Sequence, residues 1–461
     1  ATIDLAKMDI HGISYLESAK RMRELLKTGL LRHTDLNANP ERFFLAHRLL
    51  ARHAPQLGPG FWIRFTVHYN LCAGTVLGLG NEEQVKVLDD WQEQGMLGCF
   101  SLTEKLAGVN SGLVVNTRAD WDSNSQTFTL HSPDLGAHKN WISQGLVADK
   151  TVAVADLFIK GKSFGPHAFV MNLREDRKPV PGVLLQDMGR KTVGNDLDNA
   201  SIGFQNVVLP KSALLNRFAD IEGDEYVQKV KGMPVFHMIG QRLFTGRVAV
   251  AQAALEFRRG LFESTKQHTD RKRCWAPAGE PMLSNIPQLK ALFAENDTSL
   301  SFLDAFVGKC EAELSSCLKE NRLPSIELVE AIAVAKVKAV EESIDIAHRL
   351  QNEVGSYALM AGTGFEQKDF LTCCKFAEGD SRILMQKMAR DRLRALEKKP
   401  PQGSPDSWDE ETRACAALAQ KLATDAKSCG DKQQAWDDNW QEVYALAEVI
   451  MQKTISSYMA K

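Results

Sequence analysis

The chain has 461 residues, 44% of them hydrophobic and 25% charged, and its 56 Lys and Arg nearly balance its 58 Asp and Glu for a formal net charge of -2. That composition belongs to globular proteins and excludes disordered, collagen-like and membrane-embedded classes. No basic arm of five or more residues is present, the nearest being Arg271, Lys272 and Arg273, so no nucleic-acid partner is expected.

Residues 1–98 read as a helical domain. Leu25 and Leu26, then Phe43, Phe44, Leu49 and Leu50, recur at helical spacing, with residues 37–40 as a break. Residues 99–212 change period. Short β-rich runs at 112–119, 127–130, 151–159, 167–173 and 201–209 alternate with turn signals such as Ser123-Asn124-Ser125 and Pro181-Gly182, which predicts an antiparallel β domain. From residue 213 to 398 the helical period returns and predicts a bundle. One helix is expected over 239–267, and another from Ser325, as N-cap, to Gly355 at its C-terminal end. Its middle, 332–340, is apolar on nearly every side except at Lys336 and Lys338, as in a helix packed from several directions. Residues 399–461 form a Pro-rich linker and a short tail of two amphipathic helices carrying Trp408, Trp436 and Trp440.

Common chemistries fail on spacing. Gly161-Lys162-Ser163 lacks the leading glycine of a phosphate loop, because Asp156 stands there, and reads as a hairpin turn. Gly78-Leu79-Gly80 and Gly362-Thr363-Gly364 lack the third glycine of a dinucleotide loop, and no GxSxG is present. The 11 histidines form no HExxH and no Cys/His ligand spacing, so no metal is expected. The 9 cysteines, an odd number without a CxxC, suit a reducing compartment. No apolar run reaches membrane-spanning length, and Met459-Ala460-Lys461 is not the peroxisomal tripeptide, so an intracellular, cytoplasmic location is expected.

Several segments in a fixed order carry a resemblance. Phe100-Ser101-Leu102-Thr103-Glu104 with Gly108-Val109-Asn110, then residues 136–143 with Trp141-Ile142-Ser143, resemble the flavin-contacting strands of acyl-CoA dehydrogenases and acyl-CoA oxidases. Gly165-Pro166-His167, Pro181-Gly182-Val183, Asp187-Met188-Gly189, Asp198-Asn199 and Asn206-Val207-Val208-Leu209-Pro210 are most similar to the oxidase branch. Arg271 resembles the start of the family's arginine motif, and Ala377-Glu378-Gly379-Asp380 its carboxylate-glycine loop. The resemblance runs from about residue 60 to 398 and implies an α+β, mostly α fold with an N-terminal helical domain, a middle β-barrel-like domain and a C-terminal four-helix bundle.

The resemblance also implies an FAD-dependent α,β-dehydrogenation of an acyl-CoA, or carrier-bound, thioester to a trans-2-enoyl product. Glu378 matches the base; the bland alternative is a glutamate capping the helix that follows. Gln241 matches the place where other members carry the base, and Arg242, beside it, either orients the site or pairs with a carboxylate. The thioester carbonyl would be held by the Glu378 backbone N–H and a flavin ribityl hydroxyl. Leu102, Thr103, Trp141, Ile142 and Ser143 would meet the flavin, and Arg271, Gln351 and Gly355 the FAD of a neighbouring subunit in a homodimer or homotetramer. Asp380 stands where oxidases often have an acidic residue. Val109, Val354, Tyr357 and residues 273–275 depart from the family pattern. Reduced flavin would pass its electrons to O2 in an oxidase or to an electron-transfer flavoprotein in a dehydrogenase; a catalytically inactive assembly subunit is the reading from a different class.

Overall fold

Capping chemistry sets the first helix: Ser14 Oγ accepts the N–H of Glu17, and α1 (Tyr15–Lys27) buries Met22 and Leu26. The structure, a computed structural model, describes residues 14–53, 58–109, 111, 114–230, 235–277 and 279–461, with the side chains of 235–242 outside that description. It is α+β and mostly α, 57% helical and 17% strand.

α2 (Asp35–Ala38) and α3 (Pro40–Arg52) follow, the latter with proline at its first position, where the missing N–H costs nothing. α4 (Pro59–Thr66) runs without a break into a π-helical stretch, Val67–Ala73, and on into α5 (Gly74–Leu79). A π stretch widens the helix by one residue per turn and re-aims the side chains it carries. α6 (Glu82–Gln94) opens on a capping box between Asn81 and Gln84 and closes at left-handed Gly95.

The β region holds two main sheets. In the first, β1 (Gly98–Ser101) and β2 (Arg118–Asp122) both lie parallel to β5 (Lys150–Ile159). β5 also pairs antiparallel with β6 (Lys162–Asn172), and β2 continues through β3 (Thr127–His131) to β11 (Val207–Pro210). The second sheet is β4 (Lys139–Ser143), β10 (Asn199–Phe204) and β9 (Val183–Asp187), all antiparallel. Small ribbons join β7 (Arg174–Glu175) to β8 (Lys178–Pro179) and β12 (Ala219–Glu222) to β13 (Glu225–Gln228).

Four expectations for this region change. The sheet is mixed rather than antiparallel, because β5 is buried along almost its whole length and is reached from β1 and β2 by long connections, the setting in which parallel pairing occurs. The run at 112–119 becomes strand only from Arg118: the N–H groups of Asn116 and Thr117 donate to the Glu104 carboxylate instead of a ladder, and 112–113 lie outside the described residues. The run at 201–209 divides between β10 and β11 at left-handed Asn206. After Pro210 a hairpin, turning at left-handed Gly223, comes before the helices resume. The turn expected at Gly161 is present between β5 and β6.

Four long helices follow: α7 (Val235–Thr269), α8 (Pro287–Lys319), α9 (Ile326–Val354) and, after the short α10 (Phe370–Phe376), α11 (Ser381–Lys398). Ser325 Oγ accepts the N–H of Leu328, and Gly355 at φ 68° ends α9. The tail has three helices rather than two, α12 (Glu410–Cys429), α13 (Lys432–Asp438) and α14 (Trp440–Met459). α14 is tied to α9 and α11 by the Lys338–Glu448 ion pair at 2.9 Å and a Gln386–Tyr444 hydrogen bond at 3.3 Å.

Candidate functional site

The loop between α10 and α11 departs from ordinary backbone. Glu378 has φ 57° and Gly379 φ 98°, so two successive residues sit in the left-handed region, which a glutamate enters only when its surroundings hold it there. Arg247, on α7, donates from Nε to the Glu378 carbonyl at 3.1 Å, and its guanidinium passes over Gly379. Burial pushes that arginine down to about 10.

The Glu378 side chain turns inward. Its Oε1 lies 3.5 Å from Asn70 Nδ2, and its buried Oε2 has no hydrogen-bond partner among the described residues. The carboxylate rests against Gly246 of α7. Burial raises Glu378 to about 7, with Arg247, Asn70 and Lys336 acting in the opposite direction. A carboxylate so placed is poised to take a proton from a group close to Oε2 near neutral pH.

Asn70 reaches this point because it sits in the π stretch. Its neighbour His68 accepts the Gly98 N–H on Nδ1 at 3.0 Å, so Nε2 carries the ring proton and donates it to His33 Nε2 at 2.9 Å. Burial keeps both rings neutral, His33 lowered to about 4 and His68 held well below its ordinary value. The pair ties the π stretch to the start of β1.

A second group forms where β1 meets β4. Lys139 Nζ, fully buried, donates to Glu104 Oε1 at 2.9 Å, to Leu102 O at 3.2 Å and to Val154 O at 2.7 Å, while the Asn140 N–H donates to Thr103 O at 2.8 Å. Glu104 is completed by the N–H groups of Asn116 and Thr117 and by the Thr117 hydroxyl. Leu102 and Thr103 are thus fixed beside Trp141, Ile142 and Ser143. Ile142 is buried, whereas Trp141, at φ 57°, is 58% exposed and donates its N–H to Met188 Sδ at 3.2 Å. Asn199 Nδ2 bridges Trp141 O at 3.4 Å and Ser143 Oγ at 3.3 Å.

A third group lies at the bundle end. His268 near the end of α7 stacks on Tyr357 with centroids 3.7 Å apart, which ties the end of α7 to the turn that follows α9; Arg271, two residues past α7, is exposed. Gln351 accepts a hydrogen bond from Lys368. Asp380 has a structural partner, the Arg382 N–H at 2.7 Å, as N-cap of α11.

The side chains of Arg242 and Gln241 lie outside the described residues. Among the described residues, Arg247 reaches the Glu378 loop, and Gly246, which has no side chain to act as a base, faces the carboxylate. Sequence reasoning missed both, along with Asn70 and Lys336. For Gly246 the available signal was a glycine interrupting a strong helical pattern, which marks a close approach.

No protein-family model matches the chain. The acyl-coenzyme A oxidase of Kluyveromyces lactis is 28% identical over 364 residues, covering 71% of this chain and 48% of that protein. The chain therefore spans about half the length of the curated relatives it matches. The crystal structure of acyl-CoA oxidase 1 from Yarrowia lipolytica superposes with a TM-score of 0.75 at 19% identity, covering 97% of this chain and 72% of that one. Acyl-CoA oxidase-2 of Caenorhabditis elegans, solved with FAD, ascaroside-CoA and ATP, gives 0.73 at 18% identity, covering 98% and 80%. At such identity the structural likeness is one of fold.

Proposed function

We propose that this chain, a member of the acyl-CoA oxidase and acyl-CoA dehydrogenase superfamily on its oxidase side, uses FAD to oxidise an acyl-CoA thioester to the trans-2-enoyl-CoA, with Glu378 as the base. The observation that carries this reading is the Glu378 carboxylate itself: buried, held at about 7, and with Oε2 unpartnered among the described residues, as a base awaiting a substrate proton should be.

The residues suit the cofactor. Trp141 is a half-exposed tryptophan on a left-handed strand residue, next to the Leu102–Thr103 loop that the buried Lys139–Glu104 pair fixes in place; an aromatic ring system would cover that apolar face. Leu102, Thr103, Trp141, Ile142 and Ser143 would hold the flavin end. Arg271, with Gln351 and Gly355, would reach the FAD of a neighbouring subunit in a homodimer or homotetramer, Arg271 offering a guanidinium fork to the pyrophosphate. Asp380 serves the loop as N-cap, so its bearing on the cofactor runs through the backbone.

FAD, when bound, would supply the oxidant for the β hydride. Glu378 takes the α proton on its carboxylate. As charge gathers on the thioester oxygen, the Glu378 backbone N–H offers it a fixed donor. Arg247, bonded to the Glu378 carbonyl, keeps the loop in its left-handed shape and holds a positive charge beside the base without neutralising it through a direct ion pair. Asn70, Gly246 and Glu378 Oε2 are buried, so water is kept from the atom that would take the proton.

The test is anaerobic addition of straight-chain acyl-CoAs of graded length to the FAD-loaded protein, followed by air. Bleaching of the flavin and then rapid hydrogen peroxide formation is expected. Slow reoxidation would move the acceptor to an electron-transfer flavoprotein, and no bleaching with any acyl-CoA would contradict the reading.

A further inference from the structure

The middle of α9 buries a lysine that the chemistry above does not use. Lys336 is fully buried, and its ammonium group donates to three acceptors: Lys375 O at 2.6 Å, Gly379 O at 3.0 Å and Ser381 Oγ at 3.1 Å. One acceptor precedes Glu378 in the chain and two follow it. No carboxylate is among the three. Burying a cation against neutral acceptors alone is costly, and a hydrophobic residue would pack this stretch of α9 more cheaply. The loop it grips holds two successive left-handed residues, Glu378 and Gly379, with no helical hydrogen bonds of their own to fix them.

We propose that Lys336 is a positioning residue for the base: its three hydrogen bonds clamp the 375–381 loop from the α9 side, opposite Arg247, and so set where the Glu378 carboxylate and backbone N–H point. An ammonium has three donors and a neutral amine two, so the clamp is complete only while Lys336 is protonated. Burial pushes Lys336 down to about 8, which brings that loss into reach. The other ionisable groups around it are Cys374 on α10, Asp380 and Glu378 on the loop, Arg247 on α7 and Glu341 on α9. Glu378 titrates lower, near 7, Arg247 near 10, and burial holds Cys374 far above its ordinary value. Loss of the Lys336 proton is accordingly expected to slow flavin reduction at alkaline pH.

This inference rests on the proposed function, and its test separates the two. Full-length, FAD-loaded wild type, Lys336→Met, Lys336→Arg and Ser381→Ala are compared by anaerobic flavin reduction with an acyl-CoA from pH 6 to 10, and by amide hydrogen exchange without substrate. In Lys336→Met, reduction should slow about tenfold or more at every pH with FAD content retained, and amides of 375–381 should exchange about tenfold faster while α7 and α8 stay protected. Lys336→Arg, charged throughout, should keep most of the rate and lose the alkaline decline. Wild-type rate or wild-type exchange in Lys336→Met overturns the proposal. So does an alkaline decline that persists in Lys336→Arg, since it then belongs to another group such as Lys139, itself lowered to about 8. Should Lys336→Met fail to fold, Ser381→Ala decides: with one acceptor removed, severalfold slower reduction and faster loop exchange support the clamp, and no change in either overturns it. Wild type that no acyl-CoA reduces would fail the functional reading, whereas the exchange measurement tests the clamp alone.

Discussion

The Glu378 carboxylate occupies the space where a side chain at position 246 would begin: a Cβ on Gly246 would stand 2.2 Å from Glu378 Cδ and 2.4 and 2.5 Å from its oxygens. Gly246 lies inside α7, where alanine is intrinsically favoured over glycine by about 1 kcal/mol. Helix propensity and site geometry therefore oppose each other. Gly246→Ala should melt at or above the wild-type temperature and bind FAD, yet slow flavin reduction about 10²-fold, because the displaced carboxylate no longer meets the α carbon. Thermal melting and rapid-mixing absorbance on one preparation check both halves.

Glu378 should also cost stability. Burial raises it from 4.5 to about 7, so between those values the native protein keeps a proton that the unfolded chain releases, and stability falls as pH rises through that window. Glu378→Gln removes the penalty. It should be more stable than wild type by about 3 kcal/mol at pH 8, with most of the difference gone at pH 5. Urea unfolding at the two pH values measures it, and a wild type more stable at pH 8 would contradict the buried-base geometry.

The Lys139–Glu104 pair joins the two segments proposed to face the flavin, and both side chains are fully buried. Removing one partner leaves a buried, uncompensated charge. Lys139→Met should destabilise the protein by about 3–5 kcal/mol and weaken FAD binding, and Lys139→Met with Glu104→Gln should recover much of the stability. Denaturant titration with FAD fluorescence checks this; independent, additive effects would mean the two residues do not act as a pair.

Arg271 is exposed at the end of α7. If it reaches a neighbouring subunit's pyrophosphate, Arg271→Ala should weaken FAD binding about tenfold or more while the reduction rate at saturating FAD stays near wild type. Equilibrium titration of the apoprotein with FAD, alongside light scattering for oligomeric state, tests it.

Much of the fold could be read from local chemistry. Ser325 and Gly355 bound α9 because capping is a property of a few adjacent residues. The Lys160–Gly161 turn was legible for the same reason. Parallel pairing of β1 and β2 with β5 was not, since nothing in a short β-rich run states which distant strand it will meet. Within the site, Glu378 stood out only through the segment resembling a known loop. Asn70 was hidden by the π stretch, which breaks the 3.6-residue period on which face assignments rest. Lys336 was visible as a polar interruption of an apolar helix, but its partners lie 39 to 45 residues away on another element. Arg247 and Gly246 lie five positions beyond Arg242 and Gln241 on the same helix, and their approach to the 377–380 loop depends on how α7 packs against it, which no local pattern states.

The central claim is that Glu378 takes the substrate's α proton, and it is tested most directly by rapid anaerobic mixing of FAD-loaded wild type and Glu378→Gln with a saturating acyl-CoA while the flavin absorbance is followed. Glu378→Gln should bind FAD and acyl-CoA as wild type does but bleach the flavin at least about 10²-fold more slowly. Bleaching at the wild-type rate would contradict the account.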